Sequence, residues 1–332
     1  MGKLHTKEIF DLFFNSPGVS GTSLQINRRQ IDKPELYAYE IEIGKELIDM
    51  DIDELFGLIR EIRNKRRGKQ VEYIISHSSY EQISSILRAV FNYYIDNVEV
   101  IKNPFNDKRM RGMEAVKRLS EGLDIFSWEN VEDIIKRLHE DMSCDEADYI
   151  ELIILMYYCG FKNAEEIITL KGDMVNHDDH TVNMSDGRVV WLTDRCYELL
   201  MKFDSLDTIS RWRTDFSLVP WHDGMFKFIV RPSQVYNVNG RSLKEMSTKL
   251  NHIISVQVND RYNTRINYRI LYLLGFFDFI VEKYGENRTK EMFSSYRNSD
   301  DVKAILDAAK EYNLNMDSIS QIKRAMSPFI EH

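Results

Sequence analysis

The sequence predicts a mainly α-helical protein with a small β-sheet, divided into two domains. Three observations lead to this fold class. Apolar residues recur at intervals of three and four over much of the chain, which is the spacing of amphipathic helices. Apolar and polar residues alternate around a Ser-Asp-Gly turn, which indicates a β-hairpin. The chain has 332 residues and 43% hydrophobic content, enough for two hydrophobic cores.

The N-terminal part is predicted to be an arm, residues 1–30, followed by a helical domain, residues 31–105. Ser16-Pro17-Gly18 signals a turn within the arm or short helical lead-in. Met50 to Arg63 then carries apolar side chains on one stripe, and a second helix runs from Tyr80 to about Ile95, capped by Ser78 or Ser79. Asn103-Pro104-Phe105 closes the domain, and residues 106–126 form a polar, basic linker.

The second domain is predicted to cover residues 127–332. Ser127 caps a helix to Asp141, and a later apolar helix ends at Gly160. Asn163 with Glu166 resembles a capping box that starts the next helix. The sequence then predicts a hairpin, residues 180–192, and further helices at residues 194–203, 242–254, 261–285 and 316–330. Residues 204–240, rich in aromatic side chains, receive no assignment.

The segment YYCGFKNAEEIITLKGDM, Tyr157 to Met174, resembles the first active-site box of the tyrosine recombinase, or phage integrase, family. That box is an apolar helix ending in Gly, then a hydrophobic residue, an Arg, a Glu-Ile/Leu pair, a Leu and an Asp. Here Lys162 takes the place of the Arg. The resemblance extends from Ile31 to His332. It implies a two-domain recombinase-like fold, in which a helical core-binding domain precedes a catalytic-like domain.

The resemblance also implies catalytic positions, and this chain departs from each of them. Lys162 offers a phosphate a point charge without the planar fork of Arg. Arg188 stands nearest to the hairpin Lys that serves the family as general acid, but its pKa above about 12 makes Arg a poor proton donor. The second box, His-x-x-Arg, has no His here, and its Arg corresponds to Arg265 or Arg269, or to Tyr272 after a shift of register. We therefore expect no catalytic residues.

The family's tyrosine nucleophile would lie near the C-terminus. Tyr296 is the first candidate and Tyr312 the second. A tyrosine nucleophile needs its oxygen beside a phosphate held by two arginines, with a proton-managing side chain close by. Neither tyrosine has these neighbours in the sequence, so a core position for Tyr296 and a helix-face position for Tyr312 are favoured.

The net charge of −9 argues against a simple nucleic-acid binder, but the basic residues are clustered. Such clusters can face DNA or can be ordinary solvated surface. Lys162 is equally well explained as a solvated loop cation, and Arg265 or Arg269 as part of a structural salt bridge. The residues predicted to contact DNA are Lys65, Arg66, Arg67, Lys69, Ser79, Tyr80, Lys108, Arg109, Arg111, Lys162, Arg188, Arg265 and Arg269.

A recombinase-like scaffold that keeps its DNA-holding parts and lacks the catalytic residues is expected to bind DNA without cleaving it. The resemblance implies a sequence-specific transcriptional repressor of a double-stranded DNA operator, as in the catalytically silent integrase-like proteins that maintain lysogeny in prophages of the SPbeta type. A regulatory protein or self-association is left open as a further partner. The alternatives are an active recombinase with Tyr296 as nucleophile and a helical protein-interaction module, which the acidic net charge favours.

Other classes of protein and site are not expected. The sequence has no apolar run of about 18 residues and no signal-peptide core, so we expect a cytoplasmic, nucleoid-associated protein without membrane contact. Cys144, Cys159 and Cys196 are widely spaced and are interpreted as reduced thiols. The run from His177 to His180 is interpreted as a polar turn. We expect neither a cofactor nor a metal site.

Overall fold

The computed structural model describes residues 5–16, 28–66, 69–70, 77–97, 102–112, 115, 119, 127–211, 214–262, 264, 266–294, 298–312, 314, 316, 318–326 and 329–330. The chain divides into two compact units, which are Met1–Ile125 with His332, and Phe126–Glu331. Each unit has its own hydrophobic core. Within the described residues, no helix combines the length and the apolar character needed to cross a membrane.

Among the helices that the structure describes in the first unit are α1 Thr6–Phe14, α2 Pro34–Ile43, α3 Ile52–Asn64 and α4 His77–Asn97. Strands β1 Lys65–Arg66 and β2 Lys69–Gln70 pair antiparallel after α3. Helix α1 lies within the stretch assigned to an arm, yet it buries Ile9, Phe10 and Phe13 in the core of the unit. The N-terminal segment therefore supplies a core helix.

The predicted helices of this unit are present, and their apolar stripes form its core. In α3 the side chains of Leu55, Leu58 and Ile59 are completely buried. The Asp51 carboxylate caps this helix by accepting hydrogen bonds from the amides of Asp53 and Glu54, both at 2.9 Å. Such capping satisfies amides that the first helical turn leaves without partners.

The second unit contains nine of the helices that the structure describes. They are α5 Trp128–Asp141, α6 Cys144–Cys159, α7 Ala164–Ile168, α8 Asp194–Ser205, α9 Leu243–Ile253, α10 Tyr268–Tyr284, α11 Glu286–Ser294, α12 Ser299–Glu311 and α13 Ile319–Met326. Helix α6 is buried over most of its length and packs most extensively against α10. A π-helical segment, Ile254–Asp260, continues α9.

Two small antiparallel sheets lie in the described part of this unit. Strands β3 Val175–Asn176, β4 Thr181–Asn183 and β5 Val189–Trp191 form the first, and the β4–β5 pair is the predicted hairpin. Strands β6 Thr208–Arg211, β7 Thr214–Pro220 and β8 Lys227–Val230 form the second, within the stretch that the sequence left unassigned. The predicted fold class, mainly α with small sheets, is confirmed.

Candidate functional site

The corner between α6 and α7 presents Lys162. Gly160 ends α6 with φ of +120°, a value that L side chains rarely adopt, and Phe161 is buried behind it. The Asn163 side chain accepts a hydrogen bond from the Glu166 amide at 3.1 Å, as the capping pattern predicts. The Glu166 carboxylate accepts from the Lys162 amide at 2.9 Å, one residue before the N-cap. Glu166 is thereby fixed beside Lys162.

Arg188 reaches the same corner from the β4–β5 hairpin. Its side chain is only 6% exposed. One terminal nitrogen donates to Glu166 Oε1, and Nε donates to Asp186 Oδ2 at 2.6 Å. The Lys162 ammonium lies 3.9 Å from the same Asp186 oxygen. The structure therefore brings together two of the sequence-predicted cations, together with two carboxylates that balance their charge.

The pKa values of Lys162 and Asp186 are shifted by these neighbouring charges. Burial and the neighbouring Arg188 lower the pKa of Lys162, although Glu166 and Asp186 oppose the shift. Partial burial raises the pKa of Asp186, but the hydrogen bonds from Arg188 outweigh it and hold that pKa below its usual value. An anion entering this site would meet two carboxylates that already occupy the Arg188 guanidinium. Arg188 is thus held in two ion pairs at a largely buried position, and a contact of Arg188 with DNA stays a prediction.

Tyr312 holds a structural position beside this corner. Its hydroxyl donates to the carbonyl oxygen of Tyr158 at 2.9 Å and lies 3.3 Å from that of Tyr272. Its ring packs against the rings of Tyr272, Phe276 and Phe279. Burial raises the pKa of the Tyr312 hydroxyl well above its usual value. Tyr296, the first candidate nucleophile, lies outside the described residues.

In the first unit, the structure places two of the predicted DNA contacts in internal interactions. Tyr80 is completely buried, and its hydroxyl donates to the carbonyl of Met110 at 2.6 Å. Tyr80 is therefore a core residue, which corrects its assignment as a DNA contact. Arg109 is exposed but forms a two-pronged pair with Asp107, with both N–O distances 3.1 Å.

Other predicted contacts lie on the surface or beyond what the structure describes. Arg111 is exposed and donates to the carbonyl of Asn106 at 2.6 Å, and Lys108 is exposed beside it. Arg269 is exposed in the first turn of α10 and has no ion pair within the described part of the chain. For Lys65, Arg66, Lys69 and Ser79 only the backbone conformation is described, and Arg67 and Arg265 lie outside the described residues.

A group of cations on and before α9 was missed by the sequence reasoning. Burial and the proximity of Arg241 lower the pKa of Lys249, whose ammonium lies 5.6 Å from the centroid of the Phe228 ring. Lys244 is exposed on the same helix. None of these three cations forms an ion pair within the described residues. They do not form a basic run in the sequence, so only the fold reveals that Arg241 adjoins Lys249.

Comparison with known proteins gives likenesses of structure alone. No protein-family model matches the sequence, and no curated protein matches it either. The chain is similar to a lambda integrase dimer bound to a COC′ core site, with 10% identity, a TM-score of 0.29 and coverage of 95% of this chain and 99% of that one. It is also similar to the Tn1549 transposon integrase in complex with transposon right end DNA, with 11% identity, a TM-score of 0.34 and coverage of 99% and 95%. TM-scores of this size do not define the family or the activity of this chain.

Proposed function

We propose that this chain is a sequence-specific DNA-binding transcriptional repressor that maintains phage lysogeny, built on a tyrosine recombinase scaffold that has lost its chemistry. The observation that carries the proposal is the pairing of buried Arg188 with Glu166 and Asp186, beside a lysine where the recombinase family has an arginine. The resemblance of Tyr157 to Met174 to the first recombinase box supplies the scaffold.

The charge arrangement at this corner opposes catalysis of phosphoryl transfer. Transition-state stabilisation requires cations that are free and aimed at the position where negative charge develops. Here the Arg188 guanidinium is directed at two carboxylates. The Lys162 ammonium lies 3.9 Å from one of them, Asp186, and the Lys162 backbone amide donates to the other, Glu166. Lys162 Nζ is a single point charge without the paired donors of a guanidinium. A phosphate at this corner would lack the clamp that cleavage of a phosphodiester needs.

The position of Tyr312, the second candidate nucleophile, also opposes catalysis. Attack on phosphorus requires a free phenolic oxygen beside the phosphate and a base to remove its proton. The Tyr312 hydroxyl instead donates to the Tyr158 carbonyl among aromatic rings. Its raised pKa further disfavours the phenolate. The proposal therefore assigns Tyr312 to the core.

DNA binding is supported by the cations that the fold leaves exposed. Arg269, Arg241 and Lys244 are exposed, and none forms an ion pair within the described residues. Such side chains can neutralise phosphates and release counterions, which gives affinity without reading sequence. Sequence choice would come from helix side chains that reach base edges in the major groove. The acidic net charge is compatible with this role because local potential governs the encounter.

The experiment that tests the proposal has two stages. Genomic fragments from the host are selected on the purified full chain, and the enriched site is then titrated in a gel-shift assay at two salt concentrations. We expect a discrete site whose affinity falls roughly 10³-fold or more between about 50 and about 200 mM salt, the behaviour of a protein with several phosphate contacts. No enrichment, or binding that is insensitive to salt, would favour the protein-interaction module and overturn the proposal.

A further inference from the structure

A second cluster in the same unit combines a nitrogen, a sulfur and an oxygen donor. His139 lies in the last turn of α5, Cys144 begins α6, and Asp148 lies one turn further along α6. The side-chain donor atoms of these three residues all lie within 4.8 Å of one another. We propose that His139, Cys144 and Asp148 hold a divalent transition-metal ion of the zinc class. The inference is independent of the proposed function.

The distances within the cluster are close to those of a zinc site. The His139 Nε2 atom lies 3.8 Å from Asp148 Oδ1, and the Cys144 Sγ atom lies 3.8 Å from Asp148 Oδ2. Zinc binds nitrogen and oxygen at about 2.0–2.2 Å and sulfur at about 2.3 Å in tetrahedral geometry, which separates its ligands by roughly 3.3–3.8 Å. The third separation is no more than 4.8 Å, so side-chain rotations that bring His139 and Cys144 closer together would close the three donors around one ion.

The donor set selects a particular class of metal. A thiolate together with an imidazole suits zinc and similar transition metals, whereas magnesium and calcium prefer oxygen ligands. Three protein ligands leave a fourth tetrahedral position open to water or a small ligand. Glu151 borders that position, because its Oε2 lies 2.8 Å from His139 Nε2.

Two neighbouring cations share the carboxylates, so the charge around the cluster decides whether a metal ion is tolerated. Arg195 pairs with Asp148 and Glu151, and Lys202 pairs with Asp145 and Asp148. The carboxylates of Asp145, Asp148 and Glu151 carry three negative charges, and Arg195 and Lys202 carry two positive charges. One net negative charge therefore remains on these five side chains. Metal coordination releases the Cys144 proton, because the thiolate is the metal-binding form, and the thiolate adds a second negative charge. A divalent ion therefore neutralises the group.

Metal entry requires only a few of these contacts to change. Arg195 donates from Nε to Glu151 Oε1 at 2.9 Å and from a terminal nitrogen to Oε2 at 2.8 Å, so it can remain on Glu151 when its 2.7 Å contact with Asp148 is released. Lys202 can stay on Asp148 Oδ2, since a carboxylate has about four lone-pair sites. His139 and Cys144 are exposed enough to admit the ion, and Asp148 is buried.

Occupancy of the site would connect the end of α5 to the start of α6. Because the folded chain presents the three ligands together and an unfolded chain does not, the ion stabilises the folded second unit by mass action. No sequence pattern indicates the site, since the ligands are spaced by five and four residues across a helix boundary and match none of the usual metal-binding patterns. Helix α6 begins three residues after α5 ends, and this turn creates the cluster.

The test is titration of the metal-free, reduced full chain with Co²⁺, which reports on sulfur ligation by a near-ultraviolet charge-transfer band. We expect a saturable band that Zn²⁺ removes by competition, and a rise in Tm on addition of Zn²⁺. Cys144→Ser should abolish the band, and His139→Gln should weaken Co²⁺ binding by about tenfold or more. Cys159→Ser is the matched control and should retain the band.

Circular dichroism confirms that each variant is folded before it is titrated. A wild-type protein without the band, or a Cys144→Ser variant that retains it, would overturn the proposal. Loss of the band in Cys159→Ser with retention in Cys144→Ser would place the ion at a different thiol and would also overturn it.

Discussion

Arg188 on the β4–β5 hairpin and Glu166 in α7, 22 residues apart in sequence, form a buried ion pair. Through this pair the hairpin is joined to the corner that carries Lys162. The same guanidinium also holds Asp186, in the turn of its own hairpin. Two segments that carry residues singled out in the sequence, Lys162 and Arg188, are thus connected by a charge interaction.

Replacement of Arg188 should destabilise the protein. Arg188→Met would leave the Glu166 carboxylate largely buried without its guanidinium, and breaking a buried pair in this way costs about 3 kcal/mol. The control is Arg269→Met, whose side chain is exposed, with an expected effect within about 0.5 kcal/mol. Urea denaturation of both variants measures the free energies of unfolding. Equal stabilities would show that the pair contributes nothing.

The stability of the second unit should fall in acid through Asp148. Burial raises the pKa of Asp148, but hydrogen bonds and charge interactions with Lys202 and Arg195 outweigh it, so the folded-state pKa is lowered. A lowered folded-state pKa adds stability above the unfolded pKa of about 4, and this stability is lost as pH falls through the folded pKa. Asp148→Asn should therefore show a shallower loss of unfolding free energy below about pH 4. An unchanged acid slope would contradict the role of Asp148.

Gly275 in α10 should tolerate no side chain. A Cβ at this position would lie 1.9 Å from the carbonyl oxygen of Tyr158 and 2.5 Å from the Tyr312 hydroxyl. Gly275→Ala would therefore push α10 away from α6, at a cost of about 1–3 kcal/mol. Gly172→Ala is the matched control, since its Cβ would meet nothing within 4 Å. Thermal denaturation distinguishes the two, and a Gly275→Ala variant as stable as the control would contradict this packing.

Charge reversal at the proposed phosphate contacts should weaken DNA binding without unfolding the chain. Arg269→Glu is expected to lower affinity by about tenfold and to reduce the slope of affinity against salt by about one phosphate contact. Arg66→Glu and Arg265→Glu should act in the same direction, because both belong to basic clusters of the sequence. Lys303→Glu, which makes the same charge change on an exposed residue of α12, is the control. Unchanged affinity in all three arginine variants would mean that DNA binds a different face.

The parts of the fold that the sequence predicted are those specified by short-range signals. The apolar stripe of α3, the positive φ at Gly160, the cap at Asn163 and the Ser-Asp-Gly turn all involve residues within a few positions of one another. Local geometry determines such features, so a single sequence contains them. The sheet of β6, β7 and β8 was missed although Asp223-Gly224, a dipeptide typical of hairpin turns, lies between β7 and β8, because the aromatic residues around it obscured the alternation.

The candidate site was predictable only in part, because its charges are balanced by residues distant in sequence. Lys162 and Arg188 were singled out, but the pairing of Arg188 with Glu166 depends on how the hairpin packs against α7. Tyr80 was assigned to DNA because it begins a helix, whereas tertiary packing buries it against Met110. The adjacency of Arg241 and Lys249 likewise requires the fold.

The most direct test of the central claim is a search for a covalent protein–DNA adduct. The full chain is incubated with a nicked suicide duplex containing its selected binding site, and the same sample is divided between a native gel and a denaturing gel. A protein that binds its site without cleaving it gives a retarded complex on the native gel and no adduct on the denaturing gel. An adduct that disappears in Tyr296→Phe would contradict the proposed function and identify an active recombinase.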